Sequence, residues 1–515
     1  MLPSPPKALT TVQNRYLMAS MFTTGAIVLI LEIVGTRVIS PFYGSSIYCW
    51  SALITVTLVA LAAGYQWGGS VADRGPSLTL FARLLSLAAA CVALAPVMRS
   101  PVLRVTTGLG VELGTLASAV ILFAPALVFL SMLGPLAIRL TTLGLDTVGR
   151  RSGHVYAVST LGSVLGAVLA GFVLIPHLST LQVFYGMAIL LLLLSALGSW
   201  LSQIKIPLPQ LAVAAAAILF GFWPRPIPKT NVLVNKESSY GQIKVLETGD
   251  KRYLLMNGTN QSFALLPDLK NGSQYAHSLE LAPLLRPQSK NALVIGLGAG
   301  LLSTEWEKSY GLVVDSIEID PDIVAVAKKY FGYAPRGQVF IEDGRTFVER
   351  APKRYDIVVL DAFANEEPPY HLFTREAFTA IKARLKPGGI FAVNIASLVH
   401  SPGNEPWLAA YKTLQAVFPE VRAFIGDDIH EGIANVVIFS SEGSLADQKA
   451  ASAVRSAAAR DLKTMLAAPL LPDPEELAQV PLMSDDHAPM EFLMAQTARR
   501  WRPLLQRQIP DVLLY

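Results

Sequence analysis

The stretch NALVIGLGAG, residues 291–300, decides the fold of the second half of the chain. Its first five residues form an apolar run with the length of a buried strand, and Gly296, Gly298 and Gly300 follow at once. Glycines let the backbone turn tightly and pass close to a bound ligand, and a helix commonly begins after such a turn. The stretch therefore predicts a strand, a glycine turn and a helix, a unit that binds nucleotides or nucleosides in parallel α/β folds.

Three further strand patterns follow, at 313–319, before 342 and at 356–360, and each ends in acidic residues. The residues at these ends are Glu318 with Asp320, Asp343 with Gly344, and Asp361. Because the carboxyl ends of parallel strands meet at one edge of a sheet, we expect a single crevice there, where an acidic side chain accepts hydrogen bonds from ribose hydroxyls. The alternative, in which these acids only cap helices, is left open.

A small structure is expected upstream of the glycine turn. Two short strand patterns, 241–247 and 252–256, flank a turn at Gly249 and Asp250, which indicates a β-hairpin. Residues 275–285 have helical periodicity. Prolines at 224, 226 and 228 precede this region, so we expect a linker that separates a domain of residues 1–224 from one of residues 225–515.

The first 224 residues have the composition of a membrane domain. Charged residues make up 16% of the whole chain, against about 25% in soluble domains, and acidic residues are rare before Arg225. Seven apolar runs are candidate spans, at 16–39, 48–72, 78–98, 115–140, 155–176, 181–201 and 211–223. A helical span needs about 20 residues, so the last run is short and fits a re-entrant or interfacial segment better.

Basic residues beside the apolar runs predict the orientation. They favour a cytoplasmic N-terminus. Six crossings then leave the C-terminal domain in the cytoplasm and seven export it; we expect six, because the chemistry below uses a cytoplasmic metabolite. Glu32 and Arg37 lie within the first run, where they either neutralise each other in the bundle or line a substrate path.

Composition excludes several function classes. A net charge of +4 is too small to indicate a nucleic-acid binder. The two cysteines, Cys49 and Cys91, both lie in apolar runs, so neither a disulfide framework nor a cysteine metal cluster is expected. The spacing of acids and histidines likewise predicts no metal site.

These residues together resemble a known family, the spermidine synthases or aminopropyltransferases. The resemblance rests on the glycine turn and the strand-end acids, and on upstream motifs: ESSYGQ at 237–242, Asn257-Gly258 with Gln261, and Tyr275. The whole chain resembles bacterial membrane-fused spermidine synthase-like proteins, through LEIVGTR at 31–37, YAVSTLGS at 156–163, PYHLFT at 369–374 and SDDHAP at 484–489.

The resemblance implies a fold and a cellular location for the protein. The fold is a multi-span α-helical membrane bundle joined to a class I S-adenosylmethionine-type, Rossmann-like α/β domain with an N-terminal β-hairpin. The expected location is the bacterial inner membrane, with the catalytic domain in the cytoplasm. The expected partners are a small-molecule substrate and membrane lipid, without nucleic acid, and a homodimer is an open alternative.

It also implies roles for single residues. Glu318 would hold ribose, Asp343 and Gly344 would face adenine, and Asp361 would orient or deprotonate an attacking amine. Tyr275 and His371 are expected to join Asp361 as catalytic residues. The remaining expected ligand-binding residues are Gln242, Gln261, His277, Gly296, Gly298, Gly300 and Asp320. The donor would be S-adenosylmethionine or its decarboxylated form, used as substrate, and 5′-methylthioadenosine would leave.

Two positions depart from the family pattern. Ala299 and Ala364 stand where the family carries acids that hold ammonium groups, and an unpaired ammonium in a crevice is costly. This argues against ordinary spermidine synthesis and keeps two alternatives open: a methyltransferase, and a transporter or sensor that binds the nucleoside. Asp485, Asp486 and Glu491 either restore the missing negative charge or form a solvated turn.

Overall fold

The computed structural model describes residues 9–43, 47–142, 144–204, 208–221, 230–363, 367–445 and 465–508. The chain forms two compact units, Met1–Pro226 and Ile227–Leu514. Ala364, one of the two positions that depart from the family pattern, lies outside the described residues.

The described residues of the first unit form helices joined by short connections. Its helices are α1 (Thr11–Tyr43), α2 (Ile47–Arg74), α3 (Leu78–Thr107), α4 (Gly110–Thr141), α5 (Val148–Leu169, continued by a π turn and a last turn to His177), α6 (Thr180–Leu201) and α7 (Leu208–Gly221). In this described part, the first six are long and apolar enough to cross a membrane. Helix α7 has 14 residues, about 21 Å, which is less than the roughly 30 Å of a hydrocarbon core.

Helices α1 and α5 pack closely because small residues face each other. A Cβ added at Gly162 would lie 1.9 Å from the carbonyl oxygen of Phe22, and one at Gly166 would lie 2.4 Å from that of Ala26. The small-residue stripe noticed in the sequence therefore serves packing, as in other close helix pairs.

Replacing Gly162 by alanine is expected to separate these two helices. The added methyl group has to displace backbone, which costs about 1–3 kcal/mol of stability. The matched control is Gly153→Ala on the same helix, where an added Cβ meets nothing within 4 Å and helix propensity improves. Thermal loss of helical circular dichroism in detergent measures both variants, and equal midpoints would contradict the packing role.

The second unit begins with a five-stranded antiparallel sheet. Its strands lie in chain order: β1 (Thr230–Glu237), β2 (Gln242–Thr248), β3 (Lys251–Met256), β4 (Thr259–Leu265) and β5 (Lys270–Asn271). The predicted hairpin is the β2–β3 pair within this larger sheet. Strand β4 was not predicted because Asn260, Gln261 and Ser262 interrupt its apolar pattern.

A seven-stranded sheet forms the centre of the second unit. Its strands are β6 (Asn291–Ile295), β7 (Val313–Glu318), β8 (Val339–Ile341), β9 (Tyr355–Leu360), β10 (Leu385–Leu398), β11 (Glu420–Ile425) and β12 (Ile433–Ser441). The order is β11-β12-β10-β9-β6-β7-β8. Strands β10 to β8 run parallel, and β12 is antiparallel to both of its neighbours. This confirms the predicted Rossmann-like α/β fold.

Helices connect and cover these strands. They are α8 (Gln274–Leu279), α9 (Leu281–Leu285), α10 (Leu301–Ser309), α11 (Pro321–Tyr330), α12 (Gly344–Arg350), α13 (Arg375–Ala383), α14 (Glu405–Gln415), α15 (Pro474–Gln479), α16 (Met490–Leu493) and α17 (Ala495–Gln508). The single helix predicted at 275–285 is two short helices that meet at Glu280.

The strand-end acids divide between capping and other roles. Asp320 accepts a hydrogen bond from the Asp322 N–H at the start of α11, and Asp343 accepts one from the Thr346 N–H at the start of α12. Glu318 and Asp361 cap neither helix. Two of the four acids therefore cap helices, and capping does not account for the other two.

Candidate active site

The glycine turn after β6 approaches two neighbouring segments so closely that only glycine fits. Gly296 has φ +96°, and a Cβ there would lie 2.2 Å from the carbonyl oxygen of Asp361. At Gly298, φ is +54° and a Cβ would lie 2.7 Å from Ser262 Oγ, while at Gly300 a Cβ would meet the ring of Tyr333. The turn is thus packed between the end of β9 and strand β4.

Glu318, at the end of β7, stabilises this glycine turn through hydrogen bonds. One carboxylate oxygen accepts a hydrogen bond from the Leu297 N–H at 3.2 Å, and the other accepts one from the Asp320 N–H at 3.0 Å. Burial raises the pKa of Glu318, although these backbone donors work in the opposite direction. The residue predicted to bind ribose therefore also fixes the loop that ribose would approach.

Asp343 and His371 form a pair at the next strand end. His371 Nε2 hydrogen-bonds Asp343 Oδ2 at 2.9 Å. Burial alone would raise the pKa of Asp343, but donors from the Thr346 backbone and from His371 together hold it below its usual value. His371 therefore contacts Asp343, which is the residue predicted to face adenine.

Arg345 ties this region to the C-terminal tail. Its guanidinium donates to both carboxylate oxygens of Asp485, at 3.1 and 2.9 Å, to Thr374 Oγ1 at 3.0 Å and to the carbonyl oxygen of His371 at 3.2 Å. A bidentate pair of this kind fixes both partners in orientation. The charge of Asp485 is therefore matched by Arg345, which disfavours the idea that it replaces a missing ammonium-binding acid.

Asp361 lies between two hydrogen-bond donors at the end of β9. Tyr275 Oη donates to its Oδ2 at 3.2 Å, and Asn394 Nδ2 donates to its Oδ1 at 2.9 Å. Burial raises the pKa of Asp361, while the bonds from Asn394 and Tyr275 oppose the rise. Burial and the charge of Asp361 raise the pKa of Tyr275 well above its ordinary value, so the phenol stays a neutral donor.

A cavity of about 630 Å³ opens beside Tyr275 and Asn394. Its lining residues come from β3, β4, α8, β10, the β11–β12 connection and α17. Gln261, predicted from the upstream motifs, lines this cavity, whereas sequence analysis did not find Asn394, Asp427, Asp428 or Trp501. Asp427 and Asp428 follow strand β11, and no motif indicated that the chain returns antiparallel to it as β12.

Gln242 and His277, two further residues predicted from the sequence, are not among those that line this cavity. The Gln242 backbone N–H donates to Asn257 Oδ1 at 2.9 Å, and His277 Nδ1 hydrogen-bonds Glu280 Oε1 at 3.1 Å. Ala299 is buried, and its N–H donates to Ser262 Oγ at 3.3 Å. Among the described residues, no group of three or more His, Cys, Asp or Glu side chains is arranged to hold a metal ion.

Removing the Asn394 donor is expected to move the pH profile of the activity expected from the sequence. With Asp361 as the general base of that activity, the rate falls as pH drops through the pKa of Asp361, which burial has raised above the ordinary aspartate value. In Asn394→Leu the donor that opposes this rise is lost, so the acidic limb should shift to higher pH. The pH dependence of kcat/KM measures the shift. Tyr275→Phe should move it in the same direction, and an unmoved limb in both variants would argue against Asp361 as the titrating group.

Comparison with known families bears directly on this site. Residues 276–424, which carry the glycine turn, Tyr333 and the four strand-end acids, match the family described as spermine/spermidine synthase domain. The second unit is similar to the spermidine synthases over this region. The match starts one residue after Tyr275 and stops before Asp427. The matched region thus includes Asp361 and Asn394 and stops before Asp427.

The individual relatives include aminopropyltransferases and a methyltransferase. A probable polyamine aminopropyl transferase of Bifidobacterium longum is 27% identical over 215 residues, 40% of this chain and 46% of that protein. An N-terminal histidine N-methyltransferase of Emericella nidulans is 34% identical over 160 residues, 30% of this chain and 28% of that protein. The chain thus spans less than half the length of these two relatives. The spermidine synthase structure from Thermotoga maritima covers 48% of this chain and 87% of that chain, at 22% identity and a TM-score of 0.40.

Proposed function

We propose that the protein is a membrane-integral, spermidine synthase-like enzyme that transfers an aminopropyl-type alkyl group from S-adenosylmethionine or its decarboxylated form. The observation that carries the proposal is Asp361, a buried carboxylate within the matched region whose two hydrogen-bond donors, Tyr275 and Asn394, line the cavity. Cleavage of the same donor, with methylthioadenosine leaving, belongs to this proposal as well.

The proposed alkyl transfer requires that the attacking amine be aligned with the carbon beside the sulfonium and that one base accept a proton. The lone pair of an amine attacks the carbon beside the sulfonium, the carbon–sulfur bond breaks, and its electron pair stays on sulfur, which becomes the neutral thioether of 5′-methylthioadenosine. The proton that the nitrogen loses passes to Asp361 and on to water. Glu318, Asp343 and the glycine turn would hold the nucleoside so that the reacting carbon faces the cavity.

Product identification tests the proposal. The solubilised protein is incubated with each donor and with amines, and the adenosine product is identified by chromatography. We expect 5′-methylthioadenosine. Recovery of unchanged donor under all conditions would contradict an enzymatic role.

The second candidate is methyl transfer, which would release S-adenosylhomocysteine. It is favoured by the 34% identity to an N-methyltransferase and by Ala299, since an acid at that position would repel the carboxylate of intact S-adenosylmethionine. The same chromatogram separates the two candidates.

The domain arrangement predicts a membrane topology. With residues 1–224 as the membrane domain, a cytoplasmic N-terminus and six crossings, a reporter fused after Lys229 should be active in the cytoplasm of a bacterial host. A fusion at Leu109, between α3 and α4, is the control and should report the periplasm. Periplasmic activity after Lys229 would contradict six crossings and a cytoplasmic catalytic domain.

A further inference from the structure

The carboxylate of Asp343 is fixed by one local contact and one long-range contact. Its Oδ1 caps α12 by accepting from the Thr346 N–H at 2.9 Å and from Thr346 Oγ1 at 3.2 Å. This cap bond holds one oxygen and leaves the plane of the carboxylate free to turn about it. The contact of Oδ2 with His371 Nε2, at 2.9 Å, fixes the plane from a residue 28 positions further along the chain.

The position of the proton in this pair follows from the chemistry of the two groups. An ionised carboxylate only accepts hydrogen bonds, so His371 Nε2 carries the hydrogen and donates it to Asp343. That nitrogen cannot take a proton from a substrate while it donates to Asp343. Neither residue is among those that line the cavity beside Tyr275 and Asn394. These observations favour a positioning role for His371 over the catalytic role expected from the sequence.

Arg345 fixes the backbone of the same histidine. Its guanidinium donates to the carbonyl oxygen of His371 at 3.2 Å and to Thr374 Oγ1 at 3.0 Å. Thr374 in turn caps α13, where its Oγ1 accepts from the Ala377 N–H at 3.1 Å. Arg345 lies in the first turn of α12, the helix that Asp343 caps. The start of this helix therefore contacts His371 twice, through its ring and through its backbone.

A turn of the C-terminal segment, residues 484–487, binds to these groups from outside the matched region. Asp485 accepts from two nitrogens of Arg345 and from Thr374 Oγ1, the latter at 2.6 Å, and its backbone N–H donates to Glu376 Oε2 at 3.1 Å. The hydrogen bonds from Thr374 and Arg345 hold the pKa of Asp485 below its ordinary value. Asp485 is therefore an ionised partner that orients the guanidinium of Arg345.

The hydrophobic core anchors this turn on both sides. Met483 and Met490 are fully buried. The Met483 N–H donates to Thr413 Oγ1 at 3.1 Å, and its carbonyl oxygen accepts from the Arg375 N–H at 2.9 Å. The position of Asp485 is therefore set by the packing of the domain.

We propose that His371 is a positioning residue that orients Asp343 toward the six-position of a purine, and that the turn at 484–487 holds His371 in place through Asp485 and Arg345. Adenine has an N–H donor at that position, which Asp343 can accept, whereas hypoxanthine has a carbonyl oxygen there, which the carboxylate repels. This inference rests on the proposed function, in which Asp343 faces adenine. It gives a C-terminal turn outside the matched region a role in the choice of nucleobase.

A matched pair of nucleosides tests the role of His371. 5′-Methylthioadenosine and 5′-methylthioinosine differ in the purine ring, where an oxygen replaces the amino group. The ratio of their affinities, measured by calorimetric titration of the solubilised full-length protein, should fall about 10-fold in His371→Ala, because a hydrogen bond to a charged group is lost. His371→Gln should recover most of this ratio, since the glutamine amide can place an N–H close to the position of Nε2. Asp485→Ala should lower the ratio about 2- to 5-fold, as expected for a half-exposed ion pair. Asp486→Ala is the control, because this neighbouring acid takes no part in the contacts described above.

The outcomes separate this inference from the proposed function. An unchanged ratio in His371→Ala, with 5′-methylthioadenosine still released from the donor, would overturn the positioning role and leave the transferase function standing. A ratio that falls in His371→Ala and recovers in His371→Gln, in a protein that releases no 5′-methylthioadenosine, would support the positioning role while the transferase function fails. Equal loss of turnover in both variants at an unchanged ratio would show that His371 transfers a proton, which also overturns the inference.

Discussion

Asp361→Asn is expected to lower turnover by about 10²–10⁴-fold, the usual effect of a lost general base. The fold should survive, because an asparagine can still accept from Asn394 Nδ2 and donate to Tyr275 Oη, the two groups that hold the aspartate. Affinity for 5′-methylthioadenosine should stay near that of the wild type, since the proposed nucleoside contacts are elsewhere.

The kinetics of this variant distinguish catalysis from a structural role. Single-turnover measurement of 5′-methylthioadenosine release gives the chemical step, and calorimetry gives nucleoside binding. Asp473→Asn serves as control, because Asp473 caps α15 and asparagine caps a helix about as well as aspartate. Normal turnover in Asp361→Asn would move the catalytic role to Tyr275 or His371, and would also remove the main support for the transferase mechanism.

Gly296→Ala should have an effect of similar size, but on binding and stability rather than on chemistry alone. The added Cβ would lie 2.2 Å from the carbonyl oxygen of Asp361, and the φ of +96° is one that L side chains rarely adopt. Strain and overpacking together cost about 2–6 kcal/mol. The glycine turn and the end of β9 must then separate, which disturbs the nucleoside site and the base at the same time.

A second glycine provides the control for backbone strain. Gly311 has φ +67°, and an added Cβ meets nothing within 4 Å. Gly311→Ala should therefore show the strain without the clash, and it should retain 5′-methylthioadenosine binding. Thermal unfolding and calorimetric titration compare the two variants. If Gly296→Ala binds as well as Gly311→Ala, the close approach to Asp361 is not what the site depends on.

The central part of the site was predictable because it follows local rules. A short apolar run before Gly296 indicated β6, and an apolar run before Asp361 indicated β9. The crevice followed from parallel strands having their carboxyl ends at one edge. The pairing of Tyr275 with Asp361 could be anticipated only from the family resemblance, since 86 residues separate them in sequence.

The outer part of the site could not be predicted, because long-range pairing creates it. Asn394 stands within a strand that is buried along most of its length, and a single amide in such a strand has no motif. Asp427 reaches the cavity because β12 turns back between β10 and β11. Asp485 is a further example: its acidic surroundings left a ligand site and a solvated turn both open, and its partner, Arg345, lies 140 residues earlier in the sequence.

The position of Trp501 has a consequence for how the protein is made. Synthesis runs from the N-terminus, so the six apolar helices and the glycine turn leave the ribosome well before α17 does, and domains begin to fold in that order. The glycine turn and Asp361 can reach their positions while translation continues, but the cavity wall cannot close until α17 is released. Proteolytic trimming of this helix would therefore remove Trp501 from the cavity wall and leave the hydrogen bonds of Asp361 in place.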